Sequence, residues 1–464
     1  MGDQSLAFKS KAKLSRMKAI YMNRMFTLSN TIIKRYNNPD TLVVVSPYPK
    51  RGETYSTGKT GVASYTKNVV KHMGRRVIVL AEIETEPESY IEDHILVIRC
   101  FRKGNADMWL QLLKALRIFP EAKTILTQYD FALYGNPLVS SLGLMFLGFL
   151  KIHGYRVFVT LHGIVDDVMK LKGHVGLGSG PKDQFIGNIY TYLFHTFYRV
   201  LSIVSSRIIV LEESLKQKLI TIAPWVSASA IPHGVDTNLK PIKSTLAKRK
   251  LGIPTRDHVI IFFGYINWFK GADIFARTFS RVGKLLGKRV HVIIAGGESP
   301  TLKDRHYYQD FFRQVRLEVQ NSKHITLTGY VPQREIATYF SAADLIVFPY
   351  RHYMMASGVL SLAFSYRRPF IISRPLAEMF HSDDFEKQLN ASGLKIGDIT
   401  FDLYPKNIID MTRDVLINGR KTKLEDMAAN LRIGRSYLKI ARLYENLLFA
   451  PALSISGQPA LRYT

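Results

Sequence analysis

Short apolar runs recur along the chain and alternate with longer helical patterns. In chain order these runs read TLVVVSP, RVIVLAEI, TILTQY, RVFVTLHG, RIIVLEES, VIIFFGYI, VHVIIAGG, ITLTGYV and LIVFPY. Several are almost continuous in apolar residues, which is typical of parallel strands that are covered on both faces. Strands that alternate with helix-length segments predict an α/β fold built from doubly wound parallel sheets.

The alternation is interrupted once, by a stretch rich in proline, glycine and lysine that reads IPHGVDTNLKPIKSTLAKRKLGIP. This composition is typical of a linker, so we predict two Rossmann-like domains that face each other across a cleft. The boundaries that we expect are a basic N-terminal segment (1–40), an N-terminal domain (41–235), a C-terminal domain (236–430) and a C-terminal helix with a tail (431–464). We expect that helix to pack back on the N-terminal domain. A ligand is expected in the cleft, because open α/β sheets bind ligands at the carboxyl ends of their strands.

Composition narrows the class of protein. The chain has 464 residues, more than one ordinary core holds, and its 47% hydrophobic content excludes global disorder. The single cysteine, Cys100, cannot form an internal disulfide, which suits the cytoplasm. The first forty residues contain no apolar secretory region. We therefore expect a cytoplasmic protein.

The formal net charge of +27 is large for a globular enzyme. A nucleic acid, an anionic membrane surface or a phosphorylated substrate would each be attracted by it, and a solvated basic surface is the plain alternative. We find no zinc-ligand spacing, no RNA-binding aromatic motif and no clear helix-turn-helix, so we expect no nucleic-acid partner. Peripheral contact with the cytoplasmic face of a membrane stays open.

Two apolar segments bear on the membrane question, LVSSLGLMFLGFL at residues 138–150 and IYTYLFHTFYRVLSIV at residues 189–204. The first is shorter than the ~20 residues that cross a bilayer core, and the second carries His195 and Arg199. Both could be interfacial helices with basic flanks. Segments of this kind are more often buried helices of a parallel-sheet protein, and that is our expectation.

Loops that follow predicted strands carry residues suited to an anionic ligand. Gly61 lies in a glycine-containing loop that opens a helix, where backbone N–H groups can bind an anion, although the loop lacks the first glycine of a P-loop. Lys270 and Gly271 lie at another helix start, where a lysine opposes the helix dipole unless an anion is bound. His162 ends a strand, and SGV at residues 357–359 joins a strand to a helix.

Taken in order, these pieces resemble the GT-B glycosyltransferases, in particular the large family 4, or group 1, of nucleotide-sugar-dependent enzymes. The resemblance covers residues 42–447 and is strongest in IPHGVD, FFGYINWFKG, LTGYVP with YFSAADLIVFPY, and ASGVLSLAFSYRRPFI. It implies a GT-B fold with the acceptor on the N-terminal side and the nucleotide-sugar donor on the C-terminal side. It also implies retention of anomeric configuration and no metal ion, and the acidic residues show no metal-ligand spacing.

The resemblance implies a role for each matched position. Gly61 would lie near the donor diphosphate, His162 would touch the donor sugar, and Lys270 would contact the diphosphate. We name His162 and Lys270 as the catalytic residues. The other matched positions would bind through their backbones, with the nucleobase at Tyr330 and Val331 and the phosphates at Ser357, Gly358 and Val359. No cofactor is expected, because the nucleotide sugar is a substrate, and its type, UDP or GDP, stays open.

The sequence departs from the family pattern at the donor site. Many members carry two glutamates spaced eight apart, and the matching positions here hold Met354 and Leu362. A branch of the family with a Ser-Gly-Val loop also lacks them. The arginine that usually accompanies the diphosphate lysine is missing too, since its block offers Tyr265 and the neutral amide of Asn267. Weaker candidates for polar or cationic contacts are Asn267, Glu298, Arg351 and His352, with Asp166 and Asp167 on the acceptor side.

We therefore predict a glycosyltransferase that moves a hexose from a nucleotide-sugar donor to an acceptor hydroxyl in a lipid-linked or surface glycan. The alternative is a catalytically degenerate GT-B protein that acts as a binding or scaffold subunit in glycan assembly, and the missing glutamates and arginine motivate it. A sugar phosphorylase or epimerase on the same scaffold is a further alternative.

Overall fold

The computed structural model describes residues 28–55, 61–130, 133–417 and 419–450. The first 27 residues of the expected basic segment, the loop before Gly61 and the C-terminal tail lie outside the described residues. Within these ranges the chain forms two α/β units, each built around one mostly parallel sheet.

The N-terminal unit is built on an eight-stranded sheet in the order β3-β4-β2-β1-β5-β6-β7-β8. Its elements are α1 (Asn30–Tyr36), β1 (Leu42–Val45), α2 (Gly61–Lys71), β2 (Val77–Glu82), β3 (Glu88–Glu92), β4 (Ile95–Phe101), α3 (Met108–Leu116), β5 (Thr124–Tyr129), α4 (Pro137–Ile152), β6 (Arg156–Leu161), a 3-10 turn (Val168–Leu171), α5 (Lys172–Val175), α6 (Pro181–Val204), β7 (Arg207–Val210), α7 (Glu213–Ile222) and β8 (Ala228–Ala230). β1 and β2 are buried along their whole length, as their continuous apolar sequences predict.

The hairpin formed by β3 and β4 is missing from the predicted strands. β4 is fully buried, but Arg99 interrupts its apolar run. The guanidinium of Arg99 is satisfied by the backbone carbonyls of Tyr48, Pro49 and Glu82. The turn between the strands places Asp93 at φ 54°, a left-handed conformation that aspartate tolerates better than most residues.

The C-terminal unit is built on a seven-stranded sheet, in which β10-β11-β9-β13-β14-β15 are neighbours and β12 also pairs with β11. Its elements are α8 (Ser244–Lys250), β9 (His258–Phe263), a 3-10 turn (Trp268–Lys270), α9 (Ala272–Phe279), β10 (Lys284–Leu285), β11 (Lys288–Ala295), α10 (His306–Gln320), β12 (Ile325–Leu327), α11 (Gln333–Ala342), β13 (Leu345–Phe348), α12 (Gly358–Ser365), β14 (Phe370–Ser373), α13 (Arg374–Ala377), a 3-10 turn (Glu378–Phe380), α14 (Asp383–Ala391), a 3-10 turn (Ile396–Asp398), β15 (Thr400–Phe401), α15 (Pro405–Ile417) and α16 (Arg420–Gly434).

Helices cover both faces of the N-terminal sheet. After β4, β5, β6 and β7 the chain moves in the same direction across the sheet, so right-handed crossovers place α3, α4, α6 and α7 on one face. The opposite face is covered by α2 and by the last described helix, α17 (Tyr437–Phe449). Tyr444 of α17 forms hydrogen bonds with Tyr65 of α2 at 2.9 Å and with Thr160 of β6 at 3.0 Å. The last described helix therefore packs on the N-terminal unit.

Buried polar contacts join the two units beside the cleft. Arg435 lies between α16 and α17 and donates to both carboxylate oxygens of Glu212, at 2.6 and 3.0 Å. It also donates to Asp384 of the C-terminal unit, at 2.5 and 2.9 Å. A backbone hydrogen bond also joins the units, from the N–H of Ile164 to the carbonyl oxygen of Met354 at 2.7 Å. These contacts fix the relative position of the two sheets.

The expectation of two buried helices is only partly correct. α4 buries one side, including Phe146 and Leu147. In α6 only Gly187, Tyr198 and Leu201 are buried out of 24 residues, so the expectation is wrong for most of this helix. Apolar composition predicts burial only where a second layer covers the outer face, and α6 lies in the outer layer. Across the described ranges, no helix is both long and apolar enough to cross a bilayer.

Candidate active site

A cavity of about 390 Å³ lies between the two units, at the carboxyl ends of their strands. Both units contribute to its walls. The predicted residues that line it are Gly61, His162, Lys270, Tyr330, Val331, Ser357, Gly358 and Val359. Folding thus brings together positions that are widely separated in sequence, as expected at the facing edges of two parallel sheets. What each residue does there stays a prediction.

The Ser-Gly-Val loop forms the N-terminus of α12. Ser357 is the N-cap, and its Oγ accepts a hydrogen bond from the N–H of Leu360 at 3.2 Å. Its carbonyl oxygen accepts from the N–H of Ser361 at 3.1 Å. The N–H groups of Gly358 and Val359 belong to the first turn, which a helix leaves unpaired, and both residues line the cavity. This geometry suits an anion.

Lys270 ends the 3-10 turn that precedes α9. The next residue, Gly271, has φ 73°, and a Cβ there would overlap the carbonyl oxygen of Pro349. This close approach holds Lys270 against the end of β13. Burial lowers the pKa of Lys270 to about 8, and among the described residues no carboxylate forms an ion pair with it. An anionic ligand would supply the missing counter-charge.

Glycines form the floor of the cavity between the lysine and the loop. A Cβ added at Gly264 would lie 3.4 Å from Nζ of Lys270 and 3.1 Å from Cγ2 of Val359. A Cβ added at Gly296 would overlap the carbonyl oxygen of Gly264. Backbone therefore lines this part of the cavity, and a ligand can approach it closely. Glu298 of this loop (AGGES, residues 295–299) is one of the predicted weaker candidates, whereas its glycines are not among the predicted residues.

His162 contributes to the opposite wall, from the end of β6. Its Nε2 lies 2.7 Å from Oε1 of Gln128, and its ring meets that of Tyr65 edge-on at 5.2 Å. Burial, reinforced by nearby His233, lowers the pKa of His162 to about 3. The imidazole is therefore neutral at pH 7, so it can exchange hydrogen bonds with a hydroxyl but cannot add positive charge.

His233 is a cavity residue that sequence reasoning did not name. It lies in the IPHGVD block, its Nδ1 is 2.9 Å from Oγ of Ser361, and burial lowers its pKa to about 4. Its ring packs 5.1 Å from that of Tyr65. The IPHGVD block is part of the family resemblance, and the histidine next to its glycine is the feature of the sequence that could have indicated a cavity residue.

Two tyrosines form the wall nearest the predicted nucleobase position. The rings of Tyr265 and Tyr330 are nearly parallel, with an angle of 26° and centroids 6.2 Å apart. Tyr265 is one of the two residues in the block where the family carries arginine, and it lines the cavity. An aromatic face thus stands where a guanidinium was expected, which favours stacking over charge pairing.

The structure places three weaker candidates away from the cavity lining. Arg351 forms a bidentate pair with Asp273, at 2.8 and 2.5 Å, so its guanidinium is already neutralised. Glu298 is exposed and accepts from Gln309 at 3.0 Å. Oδ1 of Asn267 is buried and has no hydrogen-bond partner among the described residues. Arg351 therefore does not replace the missing arginine.

The other weaker candidates also have local partners. His352 lies 3.2 Å from Asp166, which in addition accepts from Lys170 at 2.8 Å. Burial acts to raise the pKa of Asp166, but these two hydrogen bonds, together with charge attraction from Lys218 and His352, outweigh it and hold that pKa well below its usual range. Asp167 caps the 3-10 turn through the N–H of Met169. These carboxylates organise the loop after His162.

The chemistry that this cavity offers is that of an anion site. The described residues that line it combine one buried ammonium, one helix N-terminus, glycine backbone and two neutral imidazoles with the carboxylates of Asp130 and Asp236. Within the ranges that the structure describes, no group of three or more histidine, cysteine or acidic side chains is arranged to hold a metal ion. Of the two positions that match the family glutamates, Leu362 lines the cavity and Met354 does not.

Comparison with known proteins finds sequence similarity in the C-terminal unit. Residues 257–386 match the family model described as glycosyl transferases group 1. A curated D-inositol 3-phosphate glycosyltransferase from Corynebacterium aurimucosum is 25% identical over 132 residues, which is 28% of this chain and 29% of the relative. Its counterpart from Thermobispora bispora is 28% identical over 131 residues, 27% of this chain and 30% of the relative. The chain therefore matches less than a third of the length of these relatives.

Solved structures extend the similarity to both units. The sucrose-phosphate synthase of Thermosynechococcus elongatus is 14% identical, with a TM-score of 0.64, and covers 89% of this chain and 100% of its own. The Anabaena protein HepE in complex with UDP-glucose is 13% identical, with a TM-score of 0.60 and the same coverage of 89% and 100%. The trehalose-6-phosphate synthase OtsA is 12% identical, with a TM-score of 0.65, and covers 89% of this chain and 99% of its own. The predicted fold class is confirmed: the chain has the GT-B fold, and its residues 257–386 match the glycosyl transferases group 1 model.

Proposed function

We propose that this protein is a glycosyltransferase that moves a hexose from a nucleotide sugar to an acceptor hydroxyl, with retention and without a metal ion. The observation that carries the proposal is the position of Lys270. Its buried ammonium has no carboxylate partner among the described residues and lies beside the free N-terminal turn of α12. A diphosphate placed between them would satisfy both.

The chemistry follows from where charge develops. When the bond between the sugar and the nucleoside diphosphate breaks, negative charge grows on the leaving phosphate oxygen. Lys270 and the N–H groups of Gly358 and Val359 are fixed before the reaction, so they stabilise this charge without reorganising. Each charge-assisted hydrogen bond contributes about 1.5–3 kcal/mol. Retention is proposed from the family resemblance.

His162 would act on the sugar rather than on the phosphates. Since its imidazole is neutral, it can bind a sugar hydroxyl from the N-terminal side of the cavity. Tyr265 and Tyr330 would pack against the nucleobase, beside the backbone of Val331. The HepE structure contains UDP-glucose, which makes a UDP-sugar the first donor to test. We propose a lipid-linked or surface glycan as the acceptor, with the enzyme peripherally bound to the cytoplasmic membrane face.

The proposal is tested first by donor binding. A panel of UDP-, GDP- and ADP-sugars is screened by thermal shift, because a ligand that binds only the folded state raises the melting temperature. Release of nucleoside diphosphate is then measured with and without EDTA. We expect one class of donor to stabilise the wild type and to be turned over in EDTA. Failure of every donor to bind would refute the proposal.

The second candidate is a GT-B protein that binds nucleotide sugars without transferring them. The observation in its favour is that Met354 and Leu362 stand where many relatives carry glutamates. It predicts a donor-dependent rise in melting temperature with no release of nucleoside diphosphate, with or without acceptor extracts. Donor hydrolysis that disappears in Gly358→Asp would eliminate this candidate.

A further inference from the structure

The helix layer of the N-terminal unit presents two apolar stripes to solvent. The exposed apolar residues on the outer face of α6 are Phe185, Ile189, Tyr192, Leu193 and Ile203, and Tyr190 is exposed beside this face. Those of α4 are Leu138, Met145, Phe149 and Ile152. The spacing in each set follows the 3.6-residue helical repeat, so each set occupies one face of its helix.

The two stripes lie side by side. Nζ of Lys151, near the end of α4, donates to the carbonyl oxygen of Ile203 at 2.6 Å. A Cβ added at Gly148 would lie 3.3 Å from Cγ1 of Val204. Because both helices cover the same face of the sheet, their outward faces form one surface. We call this surface, defined by the nine residues above, the apolar face.

The apolar face is not the side of α6 that packs in the protein core. α6 already packs on the sheet through its opposite side, where Tyr198 and Leu201 are buried. Residues on the apolar face are widely exposed, with 85% for Ile152, 72% for Met145 and 66% for Phe185. Soluble monomers rarely expose contiguous apolar patches beyond a few hundred Å². The surface is therefore expected to have an occupant.

Charge favours an anionic bilayer over a second copy of the chain as the occupant of the apolar face. The only carboxylate in the sequences of α4 and α6 is Asp183, whereas Lys151, Lys182 and Arg199 are basic. The whole chain has a formal net charge of +27. An anionic bilayer complements both the apolar face and this charge, and aromatic side chains favour its interface. A second copy of the chain carries the same positive charge and would be repelled.

The position of α6 relates the apolar face to the cavity. Helices that follow parallel strands begin at the carboxyl edge of the sheet, and α6 follows β6, whose end carries His162. Phe185 and Ile189 lie in the first turns of α6 and so on the cavity side of the sheet. A membrane in contact with this face would lie next to the cleft, within reach of an acceptor that is anchored in lipid.

We infer that the apolar face of α4 and α6 docks on an anionic lipid bilayer. The inference rests on one part of the proposed function, the peripheral contact with a membrane. It names the surface that makes this contact. It does not depend on which sugar is transferred or on whether transfer occurs.

The test is co-sedimentation of the full chain with vesicles of phosphatidylcholine alone and of phosphatidylcholine with phosphatidylglycerol. The test variant combines Phe185→Ser and Leu193→Ser, both at exposed positions, so the fold is expected to persist. A matched control combines Leu317→Ser and Tyr404→Ser, two exposed residues of the C-terminal unit. The melting temperature of each variant, measured with and without the donor, verifies the fold. The donor-induced shift tests the proposed function separately from membrane binding.

The expected result is binding to the anionic vesicles that the test variant weakens about tenfold and the control variant leaves unchanged. Binding to pure phosphatidylcholine should be weaker, since charge attraction is then lost. The inference is overturned if the wild type does not bind anionic vesicles or if both variants bind equally well. It is also overturned if sedimentation velocity shows a wild-type dimer that the test variant converts to a monomer, since the occupant is then a second copy.

Discussion

Oγ of Ser361 lies 2.9 Å from Nδ1 of His233, and this hydrogen bond joins the helix that starts at the Ser-Gly-Val loop to the linker after β8. The same nitrogen lies 2.9 Å from the carbonyl oxygen of Gly234. Because a carbonyl oxygen only accepts, Nδ1 carries the proton and Nε2 does not. His233 therefore positions α12 as a neutral group, and among the described residues that line the cavity Lys270 is the cation.

Loss of this hydrogen bond should weaken the fold slightly. Ser361→Ala is expected to lower the free energy of unfolding by about 1 kcal/mol, since the buried imidazole keeps only the carbonyl oxygen of Gly234 as a partner of Nδ1. The matched control is Ser392→Ala, because Oγ of Ser392 is buried without a partner among the described residues. Urea denaturation measures both. Equal losses in the two variants would mean that the bond to His233 does not stabilise the protein.

A carboxylate placed in the Ser-Gly-Val loop should weaken donor binding without destabilising the fold. Gly358→Asp adds negative charge where a diphosphate is proposed to bind, so we expect donor affinity to fall about a hundredfold. The fold should not suffer, since an acidic residue at a helix N-terminus is favourable. Gly358→Ala is the control, because a Cβ there has ordinary contacts, 3.7 Å from Nε2 of His233. Retained donor binding in the aspartate variant, measured by calorimetry, would place the phosphates elsewhere.

Buried histidines should make the protein sensitive to acid. Burial lowers the pKa of His162 to about 3 and those of His174 and His233 to about 4. In the unfolded chain a histidine titrates near 6.5, so between pH 6.5 and about 4 the unfolded state binds more protons. Stability should therefore fall with falling pH, by up to about 1.4 kcal/mol per pH unit for each histidine.

Replacement of one histidine isolates this effect. His162→Gln should reduce the slope of unfolding free energy against pH by one histidine's share in urea denaturation at pH 6.5, 5.5 and 4.5. His306→Gln is the control, since His306 is 92% exposed. A slope that His162→Gln leaves unchanged would show that His162 is not held neutral.

Sequence patterns predicted those features that depend on local chemistry. Apolar runs located the parallel strands, and glycine-containing loops located the helix starts at Gly61 and Gly358. Interaction partners that are distant in sequence could not be predicted. For example, Arg351 forms its ion pair with Asp273, which lies 78 residues away. Nor could composition tell which apolar helix would be covered, because α6 has apolar residues on both its inner and outer sides. Burial depends on the layer that a helix occupies, which only the assembled fold decides.

The junction between the two units should depend on Arg435. Arg435→Ala leaves Glu212 buried without its cationic partner, and we expect a loss of about 3–5 kcal/mol in unfolding free energy. Arg374→Ala is the control, because the ion pair of Arg374 with Asp402 is exposed and should contribute little to stability. Thermal and urea unfolding compare the two. Similar small losses would indicate that the buried cluster does not hold the units together.

The measurement that tests the central claim most directly is calorimetric titration of the wild type and Lys270→Met with UDP, GDP and ADP at pH 7 and pH 9. Lys182→Met, at an exposed position on α6, is the control. We expect one nucleotide to bind, Lys270→Met to raise its Kd about 10- to 150-fold, and the wild-type Kd to rise about tenfold by pH 9, as the free lysine, with its pKa of about 8, loses its proton. A nucleotide that binds Lys270→Met as tightly as the wild type, with the same pH dependence, would contradict the claim that Lys270 holds the donor diphosphate.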